Sequence, residues 1–149
     1  MKIVIDSQAR GSYILLIEIP RGIRMRVGAL DPLEFPRGFY AYCGSAMVGL
    51  AARINRHLRR EKKVKWHVDY LLKKGRVCTV LYAVTNERLE CQLANGLGHA
   101  FNYYPGFGSS DCHCPSHLFF SEELPILHEK AYGVFKGLLQ GGKVIIEEC

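Results

Sequence analysis

The stretch GFYAYCGSA at 38–46, taken with GSY at 11–13 and RINRH at 53–57, decides how this chain folds. Its aromatic residues predict a strand over 39–43, on which Tyr40 and Tyr42 share a face; Gly11 and Tyr13 do the same on an earlier strand. After Gly44, the spacing of Leu50, Ile54 and Leu58 predicts a helix with one apolar stripe and with Arg53, Arg56, His57 and Arg60 on another face. Arg53 and His57, four residues apart, are neighbours on that helix. If the two strands lie near each other, Tyr13 and Tyr42 approach one site beside Arg53 and His57. These residue types suit attack on a phosphodiester. A guanidinium fork holds a non-bridging oxygen, and an imidazole orients water or moves a proton. The competing readings are tyrosines that fill the core and a helix face that is simply solvated.

The flanking segments extend the pattern. SYILLIEI at 12–19 reads as a buried strand ended by Pro20-Arg21-Gly22, and 23–27 as a half-exposed strand alternating Ile23, Met25 and Val27 with Arg24 and Arg26. With a loop at 31–38, the short connections favour a three-stranded antiparallel meander. A second helix is expected at 66–74, a strand at 77–84, and a helix over 87–98 capped by Asn86. An irregular loop at 99–117, a short strand HLFF, a helix from Pro125 to Gln140 and an edge strand in KVIIEE complete the chain. The fold class is α/β, a central antiparallel sheet with added strands, flanked by helices.

A length of 149 residues with 48% hydrophobic content fits one domain with a real core. A net charge of +6 and a pI near 9.1 favour an acidic polymer, DNA or RNA, as partner. Basic residues concentrate in RINRHLRREKKVKWH at 53–67, where Arg56, Arg59, Arg60, Lys62 and Lys63 are candidates for solvation or nonspecific phosphate contact. Trp66 in the same run reads as a core residue, and His67 is expected to pair with Asp69 or Asp111. No secretory signal or membrane-spanning run is visible, so the expected location is cytoplasmic, with no membrane partner. A reducing compartment makes the six cysteines thiols or metal ligands rather than a disulfide framework. Cys112, Cys114 and His117 form C-x-C-x-x-H, a set able to hold Zn²⁺ if His113, Cys91 or His67 supplies a fourth ligand. A rigid loop of small buried thiols is the plainer reading. A third has Asp111 or His117 folding over the tyrosine site as supplementary catalytic groups.

Gly11-Ser12-Tyr13, Tyr42-Cys43-Gly44 and Arg53 together resemble the signature of the GIY-YIG nuclease superfamily, with Ser12 and Cys43 standing where isoleucine is usual. The resemblance runs from about Gly11 to Leu97, the length of a catalytic module. The extension 98–149, with PGFGSSDCHCPSHLF at 105–119, is similar to the Uri-type branch. That resemblance implies a metal-dependent endonuclease acting on DNA or RNA with Mg²⁺ or Mn²⁺. In it Tyr13 is the general base, Tyr42 an orienting hydroxyl, Arg53 the charge stabiliser with His57 beside it, and Glu90 the metal-binding carboxylate, with Glu87 as the alternative. A noncatalytic nucleic-acid-binding or repair-accessory module on the same scaffold is the rival reading. A zinc-stabilised interaction domain is a third.

Overall fold

The computed structural model describes residues 1–110 and 112–149. In chain order the elements are β1 (Gly11–Ile19), β2 (Ile23–Met25), β3 (Leu33–Phe35), β4 (Gly38–Ala46), α1 (Leu50–Leu58), α2 (His67–Leu72), β5 (Arg76–Val84), α3 (Glu90–Gly98), β6 (Asn102–Tyr103), β7 (Leu118–Ser121), α4 (Leu124–Leu138) and β8 (Ile145–Glu148). Six strands form one antiparallel sheet in the order β6-β7-β4-β1-β5-β8. The fold is mixed α/β, with helices on both faces of the sheet. Segment 98–149 supplies β7 and β6 outside β4, and β8 outside β5, so it forms both edges.

β1 sits near the centre and explains the architecture. Tyr13, Leu15, Ile17 and Ile19 point into one apolar layer with Leu50 and Ile54 of α1 and Val68 and Leu71 of α2. Ile14 and Leu16 point into a second layer with Leu93 and Leu97 of α3 and Leu127, Ala131 and Phe135 of α4. A strand covered on both faces must be apolar at nearly every position, which is why SYILLIEI reads as an unbroken run.

Two expectations about connectivity change. The strand at 23–27 does not join the sheet: Ile23–Met25 pairs with Leu33–Phe35 in a separate two-stranded ribbon, inside what reads as a loop. The physical reason is that both edges of β1 are taken, by β4 from Gly11↔Ala46 to Ile19↔Gly38 and by β5 from Gly11↔Val84 to Glu18↔Arg76. Asn86 does not cap the third helix either. That helix begins three residues later than expected, at Glu90 after an N-cap at Leu89. The Leu89 N–H is met by the hydroxyl of Ser12, at 2.9 Å across the sheet.

Candidate functional site

The β1/β4 register sets Tyr13 opposite Gly44 and Leu15 opposite Tyr42, so the two tyrosines lie diagonally on one face. Gly44 is required by this packing, because a Cβ there would sit 2.5 Å from the Tyr13 hydroxyl. Gly108 adopts φ +71° and passes over Tyr42, where a Cβ would fall 2.9 Å from the ring. The Tyr13 hydroxyl meets Nε2 of His57 at 2.7 Å, and the Tyr42 and His57 ring centroids are 6.1 Å apart. Arg53, one turn before His57, donates from Nη1 to the carbonyl of Ser45 at 3.1 Å. Its guanidinium lies 4.6 Å from the centre of the Trp66 ring. Tyr13, Tyr42, His57 and Arg53 are therefore brought together.

His57 departs from the helical-wheel expectation. It lies on the buried stripe with Leu50 and Ile54, only 2% exposed, and not on the basic face. Spacings i, i+4 and i+7 make one stripe, and the Tyr13 hydroxyl satisfies one ring nitrogen within it. Burial lowers the His57 pKa to about 3; Asp69 opposes that shift, and Lys62, Arg53 and Arg56 reinforce it. His57 is thus a neutral imidazole near neutral pH. Burial likewise drives the Tyr13 hydroxyl far above its ordinary range, outweighing the nearby positive charge of Arg53. Tyr42 is raised by burial and then by its neighbour Tyr13. A resting phenolate, which a tyrosine base needs, is not what these surroundings favour.

Trp66 is a platform and not simply core. Arg53, Arg56 and Lys65 all place their cations within 4.7 Å of its ring centroid. Arg56 is held by Asp69 through two bonds of 3.1 and 3.0 Å. The same carboxylate accepts the N–H groups of Lys65 and Trp66, at 2.8 and 2.9 Å, and so starts α2. Burial pushes Asp69 up, but the Arg56 guanidinium and the two amides outweigh it and its pKa falls. Lys62 caps the end of α1, donating to the carbonyls of His57 and Arg59. Arg56 and Lys62 are therefore engaged within the fold, whereas Arg59, Arg60 and Lys63 are exposed. A cavity of about 370 Å³ opens beside His57, walled by Arg59, Arg60, Lys62, Lys73 and Arg76. Lys73 and Arg76 lie outside the 53–67 run and carry no signal of their own in the sequence.

Glu90 opens α3, whose Leu93 and Leu97 pack on the other face of the sheet; it is ion-paired with Arg88 at 3.6 Å and its side chain is 13% exposed. Its charge acts on Tyr13, Cys43 and His117. Ser12 explains its own departure from isoleucine. Its hydroxyl pairs with Ser45 at 2.6 Å and, through Leu89, anchors the start of the Glu90 helix. A lone serine in an apolar strand was the available clue. Cys43 is fully buried in the α3/α4 layer, where burial pushes its thiol up.

The 105–117 loop packs beside this site. Its backbone is tied to β4 by Cys43 N–H donating to the His117 carbonyl at 3.0 Å, and to itself by His117 N–H donating to Phe107 at 2.8 Å. His117 does not face the tyrosines; its Nε2 is 3.4 Å from the Cys112 sulfur and 4.0 Å from that of Cys91. Asp111 lies outside the described residues. Cys91, Cys112, Cys114 and His117 bring four potential ligand atoms within 4.8 Å of one another, a group that could hold a metal such as Zn²⁺. Cys91 is thus the fourth member. His67 instead accepts the Gly108 N–H on Nδ1 at 2.8 Å and pairs with no carboxylate among the described residues. Cys91 and Cys114 are joined as a disulfide, against the expectation that every cysteine is a thiol or ligand. The two cysteines lie 23 residues apart in sequence, one on the helix and one in the loop, and meet only in the folded chain.

No helix among the described residues is long and apolar enough to cross a membrane. Neither a comparison with curated proteins nor one with solved structures finds a match to the chain. A family model described as "Domain of unknown function DUF123" matches residues 12–140, most of the two-layered core and every residue of the tyrosine site, and the chain belongs to that family.

Proposed function

We propose that the chain is an endonuclease of the GIY-YIG type that hydrolyses phosphodiester bonds of DNA or RNA. The observation that carries this reading is the Tyr13–His57 hydrogen bond of 2.7 Å, formed between a strand and a helix with Arg53 one turn away. A hydroxyl coupled to a neutral imidazole is a proton relay. Water attacks phosphorus in line and gives its proton to Tyr13 Oη, while the Tyr13 proton passes to His57 Nε2. Direct use of a phenolate is disfavoured by burial, and a resting imidazolium equally so; the relay loads His57 only as negative charge gathers on the phosphate beside it. Arg53 neutralises charge gathering on the non-bridging oxygens, Tyr42 orients the phosphate, and Arg59, Arg60 and Lys63 track the backbone. Glu90 keeps contact with solvent and offers a hard carboxylate oxygen, so it would be the residue to hold Mg²⁺ or Mn²⁺. Such an ion, when bound, supplies charge neutralisation for the leaving oxygen.

Burial favours a second reading. Tyr13 is 1% exposed and lies behind His57, so a nucleic-acid-binding module that retains the constellation as packing has a specific observation behind it. The two readings separate on one experiment, incubation of the protein and its Arg53→Ala and Tyr13→Phe variants with supercoiled, single-stranded and branched substrates across divalent metals. The nuclease reading expects metal-dependent cleavage that falls about a hundredfold or more in both variants with little change in affinity. Binding without cleavage, equal in all three proteins, establishes the binding module instead.

A further inference from the structure

We infer that Cys91, Cys112, Cys114 and His117 form a tetrahedral Zn²⁺ centre in the reduced protein. The inference stands independently of the nuclease reading. Three sulfurs and one imidazole nitrogen are the donor set of a closed structural zinc site. With metal–ligand bonds near 2.3 Å for sulfur and 2.0 Å for nitrogen, ligand atoms of a tetrahedron stand roughly 3.5–3.8 Å apart. His117 Nε2 lies 3.4 Å from Cys112 and 4.0 Å from Cys91, and all four atoms fall within 4.8 Å. The ligands come from one helix and one loop, so an ion there ties the first turn of α3 to the segment lying against Tyr42.

The Cys91–Cys114 disulfide and the zinc centre use the same sulfurs and exclude each other. Two-electron reduction of that bond by a thiol reductant yields two thiols, while two reductant thiols become a disulfide. Zinc then binds three cysteine sulfurs as thiolates and releases three protons to solvent. The zinc form holds the same four side chains around one centre.

Such an ion also fixes geometry at the tyrosine site. Cys91 follows Glu90 directly, and His117 is hydrogen-bonded through its carbonyl to Cys43, next to Tyr42. The centre thus sets the start of the Glu90 helix against the strand carrying Tyr42.

The test uses the full chain, kept under a thiol reductant and treated with Zn²⁺ or Co²⁺ alone. Elemental analysis should find about one zinc per chain surviving competition with a chromophoric chelator. The Co²⁺ form should show thiolate-to-cobalt charge transfer and the intense ligand-field bands of a tetrahedral site. Cys91→Ser and Cys112→Ser should each weaken zinc by more than about 100-fold, beyond the roughly 10–100-fold that loss of an outer-shell partner costs. Cys149→Ser, at an exposed cysteine outside the cluster, should bind as the parent does. Octahedral cobalt spectra, no zinc retention by the reduced parent, or equal loss in the Cys149→Ser protein overturns the assignment. The cobalt spectrum of the parent decides even where a variant fails to fold.

Discussion

Substituting glutamine for His57 is expected to flatten the pH dependence of stability. In the folded chain the imidazole titrates near 3, against 6.5 when free in the unfolded chain. Between these values the unfolded state binds a proton that the folded state refuses, so the contribution is complete above pH 6.5 and is lost as pH falls toward 3. At about 1.4 kcal/mol per pH unit the whole window amounts to roughly 5 kcal/mol, a large share of an ordinary domain's stability. Between pH 6.5 and 4.5 the loss is roughly 2 kcal/mol, before most carboxylates protonate. His67 and His117, also lowered by burial, add slope of the same sign, and comparison with the variant removes their share. Asp69, whose pKa is lowered, acts in a more acidic window, below its unfolded value of 3.8. The assay is urea unfolding at half-unit pH steps from 7.5 to 4.5 for the parent and His57→Gln, with m-values compared to establish two-state behaviour. The parent should lose roughly 2–3 kcal/mol more than the variant across that range. Parallel curves would mean that His57 is already solvated or protonated in the folded chain, and the relay argument falls with its burial.

Two further expectations concern the basic side of the site. Neutralising Arg59, Arg60 and Lys63 to glutamine should reduce the slope of log affinity against log salt for duplex DNA by about 2.7, at about 0.9 per phosphate contact, while leaving folding intact; an unchanged slope moves the footprint elsewhere. Asp69→Asn should cost about 3 kcal/mol, because it strands an Arg56 guanidinium only 17% exposed and weakens the cap of α2; a loss below about 1 kcal/mol in chemical unfolding would show that the pair is dispensable.

How much of this was legible depended on whether the deciding contact was local. The run SYILLIEI announces a strand buried on both faces, and KVIIEE an edge strand, because local composition follows burial. The ribbon at 23–35 was misassigned because Ile23, Met25 and Val27 alternate as well in a two-stranded ribbon as in a sheet. Only the occupancy of both β1 edges, by strands that begin at Gly38 and Arg76, decides between them. Tyr13, Tyr42 and Arg53 were visible from motif order. His57 looked polar because its partner, the Tyr13 hydroxyl, lies 44 residues away. The choice of Cys91 over His113 and His67 as the fourth donor, Lys73 and Arg76 in the basic cavity, and Ser12 as anchor of the Glu90 helix are products of chain crossing that no spacing encodes.

The stacking of Arg53 on Trp66 has a consequence in conformational entropy. A free arginine side chain retains about 2 kcal/mol of rotamer freedom, most of which is surrendered when its guanidinium is held. Here Trp66 and the Ser45 carbonyl restrict Arg53 before any anion arrives. The ordering is therefore charged to folding. On the nuclease reading a phosphate would meet a guanidinium already ordered, and its affinity would be limited more by desolvation than by immobilisation of the side chain.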